Sequence, residues 1–175
     1  MRFFLIDRIV ELHLGHKITA VKALTMAEEY LADHFPRFPV MPGVLMLQAM
    51  TQAGSWLVRA SEDFASSMVV LREAANVKYG QFIEPGQVLT VTAEIVGQDE
   101  QLTRLKAMGR VDGEMTVSAR LVLERYNLAE RDASRAETDL SLIEDLRAKF
   151  RLLLPGSDPA LEEPAVAPHT QPTQI

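Results

Sequence analysis

The sequence predicts an α+β protein in which one antiparallel sheet curls around a single buried helix. Three observations carry this. Residues 88–95, VLTVTAEI, alternate apolar and polar side chains with the period of a half-buried strand. Residues 102–111 and 115–123 alternate in the same way and are joined by Asp112-Gly113, a tight-hairpin dipeptide, so the second half reads as a meander. Residues 44–60 form one long helical stretch whose apolar positions cover most of its circumference and leave only a narrow polar stripe of Gln48, Thr51, Gln52 and Ser55. Such a helix must be covered, and a curved sheet is the economical cover.

The remaining elements follow in order. Residues 9–12 and 18–24 read as short strands separated by a turn at Gly15, and residues 67–71 as a further strand, giving four to six in all. Pro42-Gly43 introduces the helix, and Pro85-Gly86 turns the chain into the strand at 88. Beyond Tyr126 the composition becomes polar, and then Leu140, Ile143, Leu146, Phe150 and Leu153 recur at helical spacing. Three segments are therefore expected: a core domain over residues 1–126, an appended amphipathic helical segment over 127–154, and a Pro-rich disordered tail over 155–175.

Composition narrows the function. The chain has 175 residues, 47% hydrophobic and 24% charged, enough apolar material for one ordinary domain with an appendage. No apolar run approaches the length of a membrane span, and the short apolar patch in MRFFLIDR is too brief for a secretory signal, so the expected setting is the cytoplasm. With no Cys, disulfides, thiolate metal sites and Cys nucleophiles are excluded. The net charge of −6 gathers mainly after Tyr126, and no basic stripe interleaved with aromatics is present, which argues against nucleic-acid binding. His13, His16 and His169 have no ligand-like spacing with acids, so no metal site is expected.

The chemistry concentrates in residues 33–52, DHFPRFPVMPGVLMLQAMTQ. Prolines at 36, 39 and 42 rigidify the approach to the helix and forbid regular structure there. A rigid loop carrying His34 then leads into a helix that starts at Gly43. The free N–H groups of a helix start favour an oxyanion or a thioester carbonyl, and glycine lets a ligand come close to them.

These residues resemble the hotdog-fold 3-hydroxyacyl-acyl-carrier-protein dehydratases of fatty-acid synthesis. The resemblance rests on His34-Phe35-Pro36, on Pro39-Val40-Met41-Pro42-Gly43-Val44-Leu45 and on Ala49-Met50, with Gln52 also fitting. It extends from Phe4-Leu5-Ile6-Asp7-Arg8 through Glu84-Pro85-Gly86 to Val111-Asp112-Gly113. It implies dehydration of (3R)-3-hydroxyacyl thioesters to trans-2-enoyl thioesters, with His34 acting on the C2 proton. Gly43 and Val44 would hold the thioester oxygen, and Phe35, Pro42 and Gln52 would line the substrate. It further implies a homodimer or higher homo-oligomer with sites shared between subunits, acyl carrier protein as partner, and no cofactor beyond the phosphopantetheine that carries the substrate.

Two positions depart from the family pattern. The acidic residue expected on the helix falls at Gln48, and Arg37 stands where a glycine is usual. An amide orients by hydrogen bonding but neither gives nor takes a proton near neutral pH. Asp33, Glu62 and Glu73 are the nearest acids in sequence that could stand in for it. Gln48 also keeps open a thioesterase, or a non-catalytic acyl-thioester binding protein.

Overall fold

The computed structural model describes residues 4–154. The expected tail over 155–175 therefore lies outside the described residues. In chain order the elements are β1 (Arg8–His13), β2 (Lys17–Ala23), α1 (Gly43–Ser61), β3 (Met68–Tyr79), β4 (Val88–Gln98), β5 (Leu102–Val111), β6 (Glu114–Tyr126) and α2 (Ala136–Leu153). The strands form one antiparallel sheet in the order β1-β2-β4-β5-β6-β3, so β1 and β3 are its edges. Each strand turns one face to α1: Leu89, Val91 and Ala93 of β4, Leu105 and Ala107 of β5, and Leu121 and Leu123 of β6 are all buried. From the helix, Ala49, Met50, Ala53 and Leu57 are fully buried against them. A helix with apolar residues on nearly every side is thereby covered on most sides by a single sheet, the arrangement its composition demands.

Local chemistry fixes the sheet's register. Asp112 and Gly113 hold positive φ of 52° and 84°, which a two-residue turn requires, and Val111 pairs with Glu114 directly across it. A register shift between Gly109 and Arg110 follows, and it takes Met115 out of line. Met115 was expected to share the inward face with Val117, Ala119, Leu121 and Leu123; it is 50% exposed while those four are buried.

β3 is more than twice the length expected from residues 67–71. It stays paired with β6 to Tyr79 through two register shifts, one at Leu71/Glu73 and one at Ala75/Lys78, with Asn76 at φ 54° inside the second. Each bulge inserts a residue and reverses the in-out phase, so simple alternation stops at the first of them.

α2 lies on the core through a row of contacts. The Phe150 ring centroid is 5.9 Å from that of Trp56 on α1 and 5.4 Å from that of Phe64 in the loop after it. Leu153 is buried, whereas Leu140, expected in the same stripe, is 69% exposed. Its neighbour Asp139 turns inward instead, accepting the backbone N–H groups of Leu128 and Ala129 at 2.9 Å and the Ser67 hydroxyl. Adjacent helical residues point about 100° apart, so an inward Asp139 leaves Leu140 facing out.

Candidate active site

His34 follows a short helical turn, Glu29–Ala32, and its N–H bonds Tyr30 O at 3.1 Å. The loop then closes on itself: Phe35 and Phe38 exchange backbone hydrogen bonds, Val40 N–H bonds His34 O, and Met41 N–H bonds Ile83 O at 2.9 Å. The His34–Phe35 peptide is cis, and the two rings stack with centroids 4.3 Å apart. The prolines leave the loop few donors to satisfy, and the few bonds that remain define one path.

The His34 ring is oriented by that path. Its Nδ1 lies 3.0 Å from Val40 O. A carbonyl oxygen only accepts, so Nδ1 carries the proton and Nε2 keeps its lone pair. The loop thus fixes the tautomer that a base needs, with Nε2 as the reactive nitrogen.

Pro42 precedes α1 in an extended conformation, and its carbonyl accepts Leu45 N–H at 2.9 Å and Met46 N–H at 3.2 Å. Helix geometry leaves the Gly43 and Val44 N–H groups without an intrahelical acceptor. Glycine at 43 lets the Tyr79 ring approach closely: a Cβ there would lie 2.9 Å from the ring, which would have to swing away. Tyr79, at the end of β3, therefore covers the helix start. No sequence signal pointed to it, since it lies beyond both bulges.

Gln48 is exposed and opens onto a cleft of about 340 Å³ between α1, the start of β3 and α2. Thr51, Gln52, Ser55, Trp56 and Arg59 continue its wall, and His34 is not among the lining residues. This cleft therefore holds Gln48 without His34. The Gln52 carboxamide oxygen accepts Leu5 N–H at 2.8 Å, which ties the N-terminal segment to α1. Phe35, Phe38, Val44, Tyr79 and Phe82 are all at least 46% exposed around the helix start, an apolar surface that this chain leaves uncovered.

The candidate substitute acids are dispersed. Glu62 lies at the other end of α1, where it accepts from Arg125 and from Gln98. Glu73 is exposed on the edge strand, and Asp33 is exposed beside His34. Arg37 is exposed at the loop tip. The sequence reading closed the polar stripe of α1 at Ser55, but Arg59 continues it one turn further, and the i, i+4 spacing from Ser55 was the available signal.

A sheet curled round one helix, with an oriented histidine ahead of a glycine-led helix start, is the hotdog arrangement of proteins that handle acyl thioesters. The chain belongs to the FabA-like family of 3-hydroxyacyl-acyl-carrier-protein dehydratases: the FabA-like domain matches residues 1–124. It is 34% identical over 119 residues to the 3-hydroxyacyl-acyl-carrier-protein dehydratase FabZ of Ruminiclostridium cellulolyticum, covering 68% of this chain and 84% of that protein. It is 36% identical over 123 residues to the FabZ of Thiobacillus denitrificans, covering 69% and 85%. Among solved structures, the dehydratase heterocomplex ApeI:P from Xenorhabdus doucetiae shares the fold with a TM-score of 0.62 at 18% identity, over 76% of this chain and 90% of that one. The mutant thioesterase PA1618 from Pseudomonas aeruginosa shares it with a TM-score of 0.55 at 17% identity, over 69% and 81%. α2 lies outside the family match. No helix among the described residues is long and apolar enough to cross a membrane.

Proposed function

We propose that the chain dehydrates 3-hydroxyacyl thioesters carried on acyl carrier protein to trans-2-enoyl thioesters, as a homodimer whose sites are completed across the subunit interface. Family membership supports the reaction class. The observation that carries the catalytic role is the Nδ1 contact from His34 to Val40 O, which leaves Nε2 as a base. In this reading Nε2 removes the C2 proton while the Gly43 and Val44 N–H groups hold the thioester oxygen, where negative charge develops. The C3 hydroxyl must leave as water, so it needs a proton. Gln48 has none to give, and the imidazolium just formed on His34 is the group that holds one. Returning that proton to the hydroxyl breaks the C3–O bond, forms the C2–C3 double bond and restores neutral His34. Gln48 orients the departing oxygen by hydrogen bonding. Water is expelled with no net oxidation or reduction, so the reaction as written needs no cofactor beyond the phosphopantetheine arm, and a substrate carried on acyl carrier protein supports a cytoplasmic setting.

The dimer is supported by the open edge of β3 and by the uncovered apolar surface at the start of α1, which a second copy would bury. Sedimentation at micromolar concentration should show a species of twice 19.5 kDa; a lone chain mass would count against it. Gln48 also favours a second reading, in which a different homologous chain supplies the acid, as a heterocomplex. The deciding assay supplies purified protein with a 3-hydroxyacyl thioester and follows enoyl product and free thiol together. Enoyl product supports the proposal, free thiol alone supports a thioesterase, and neither, with binding retained, leaves a binding protein or the inactive half of a heterocomplex.

A further inference from the structure

The cleft beside Gln48 ends at Arg59, a cation with one buried N–H left open. Arg59 lies eleven residues beyond Gln48 on the same stripe of α1, about 16 Å along the helix at 1.5 Å per residue. Its Nε is buried and has no hydrogen-bond acceptor among the described residues. The guanidinium carbon sits 5.8 Å from the centre of the Trp56 ring. Burial pushes its pKa down to about 10, which still leaves it charged at neutral pH.

Among the described residues no acceptor meets that Nε. Thr51 and Ser55 donate their hydroxyl protons to the carbonyls of Leu47 and Thr51, one turn back on their own helix. Glu62, three residues on, is held by Arg125 and Gln98. A buried N–H without an acceptor is costly, and one carboxylate would satisfy it through a charge-assisted hydrogen bond. The wall opposite is apolar, made by Val69 and Val70 of β3 and by Leu146 of α2.

We propose that this cleft is the acyl-chain channel and that Arg59 receives a carboxylate at the far end of the chain, so that the preferred substrates are thioesters of ω-carboxylated 3-hydroxyacyl groups. This rests on the dehydratase reading for the position of the reacting end at Gln48, and it adds the chemistry of the other end. The apolar wall takes the methylenes, and Leu146 makes α2, which lies outside the family match, part of the specificity device.

The test separates binding from turnover. Saturated acyl-pantetheine amides of equal length, spanning roughly 16 Å and ending in methyl or in carboxylate, are titrated calorimetrically into the full chain. The carboxylate-ended ligand should bind at least about tenfold more tightly, the equivalent of about 1.4 kcal/mol. Arg59→Leu should erase that preference and Arg59→Lys should keep part of it. If Arg59→Leu does not fold, the wild-type preference and its partial retention in Arg59→Lys decide the matter. Equal or tighter binding of the methyl-ended ligand by wild type overturns the proposal. So does an Arg59→Leu variant that keeps the preference. If Arg59→Leu instead weakens self-association in sedimentation and wild type shows no preference, the acceptor is a carboxylate of a second copy and the proposal fails. A binding preference without enoyl production from the matching 3-hydroxy thioester sinks the dehydratase reading alone.

Discussion

The two ends of α1 contrast. At its C-terminal end the chain seals itself: Glu62 pairs with the buried Arg125, which also donates to Thr103 Oγ1 at 2.9 Å, and Phe64 and Trp56 are roofed by Phe150 of α2. At its N-terminal end Val44 and Gln48 are exposed, apolar rings stand in solvent around Gly43, and His34 presents a free ring nitrogen. Arg59 aside, one end is finished within the chain, and the other is built to meet something else. Apart from Arg59, polar groups at the closed end hold structure, whereas those at the open end are free to do chemistry.

The largest expected effect tests the open end. His34→Ala should lower dehydration by about 10²- to 10⁴-fold, the usual worth of a positioned base, measured as kcat on a 3-hydroxyacyl thioester. If the variant keeps wild-type rate, the base lies elsewhere and the open end loses its claim to catalysis. Next comes Gln48→Glu. If wild type is slow because only His34 moves protons, a carboxylic acid at 48 should raise the rate by roughly ten- to a thousandfold. If wild type is already fast, the substitution should change little, and Asp33→Asn and Glu73→Gln become the informative variants. Glu62→Gln then serves as the control from the closed end, where it should reduce stability rather than specifically the chemical step.

The closed end is tested by truncation. A chain ending after Tyr126 should melt lower or aggregate compared with one ending after Leu154, because it uncovers Trp56 and Phe64. Phe150→Ala isolates part of that effect and should cost about 1.5 kcal/mol, the lower end for a large apolar side chain because Phe150 is only half-buried. Denaturant unfolding measures both; equal stability of the two truncated lengths would mean that α2 is not part of the closure.

The same contrast explains what could be read in advance. The meander, the buried helix and the His34–Gly43 segment were legible because each rests on a local pattern: alternation, all-round hydrophobicity, or proline spacing. The length of β3 was not, because the bulges at Leu71/Glu73 and Ala75/Lys78 break the alternation. The outward turn of Leu140 was not, because Asp139 is drawn in by backbone groups of residues 128 and 129 and by the distant Ser67. Nor were the roles of Tyr79 and Arg59, which depend on what lies across from them in space. The sequence located the open end of α1 well but said little about how the closed end is closed.

The smallest effect concerns how α2 is fastened. Arg147 bonds Asp63 Oδ1 at 2.7 Å, donates to the Asp63 carbonyl oxygen and lies 4.8 Å over the Phe64 ring. The hydrogen bond from Arg147, and then its charge, hold the Asp63 carboxyl below its ordinary value of 3.8. A carboxyl depressed in the folded state contributes stability that is fully present above its unfolded pKa, and that contribution fades as pH falls through the folded one. Arg147→Met keeps the apolar cover of Phe64 and removes the ionic part. The melting temperature of wild type should therefore exceed that of Arg147→Met by a small, constant amount well above pH 3.8, and the gap should narrow as the pH drops below it. It should not close completely, because the bond to the Asp63 carbonyl does not titrate. A gap that stays constant across that range would show that the carboxyl contributes nothing to the fastening, leaving the ring and the backbone carbonyl to hold the helix in place.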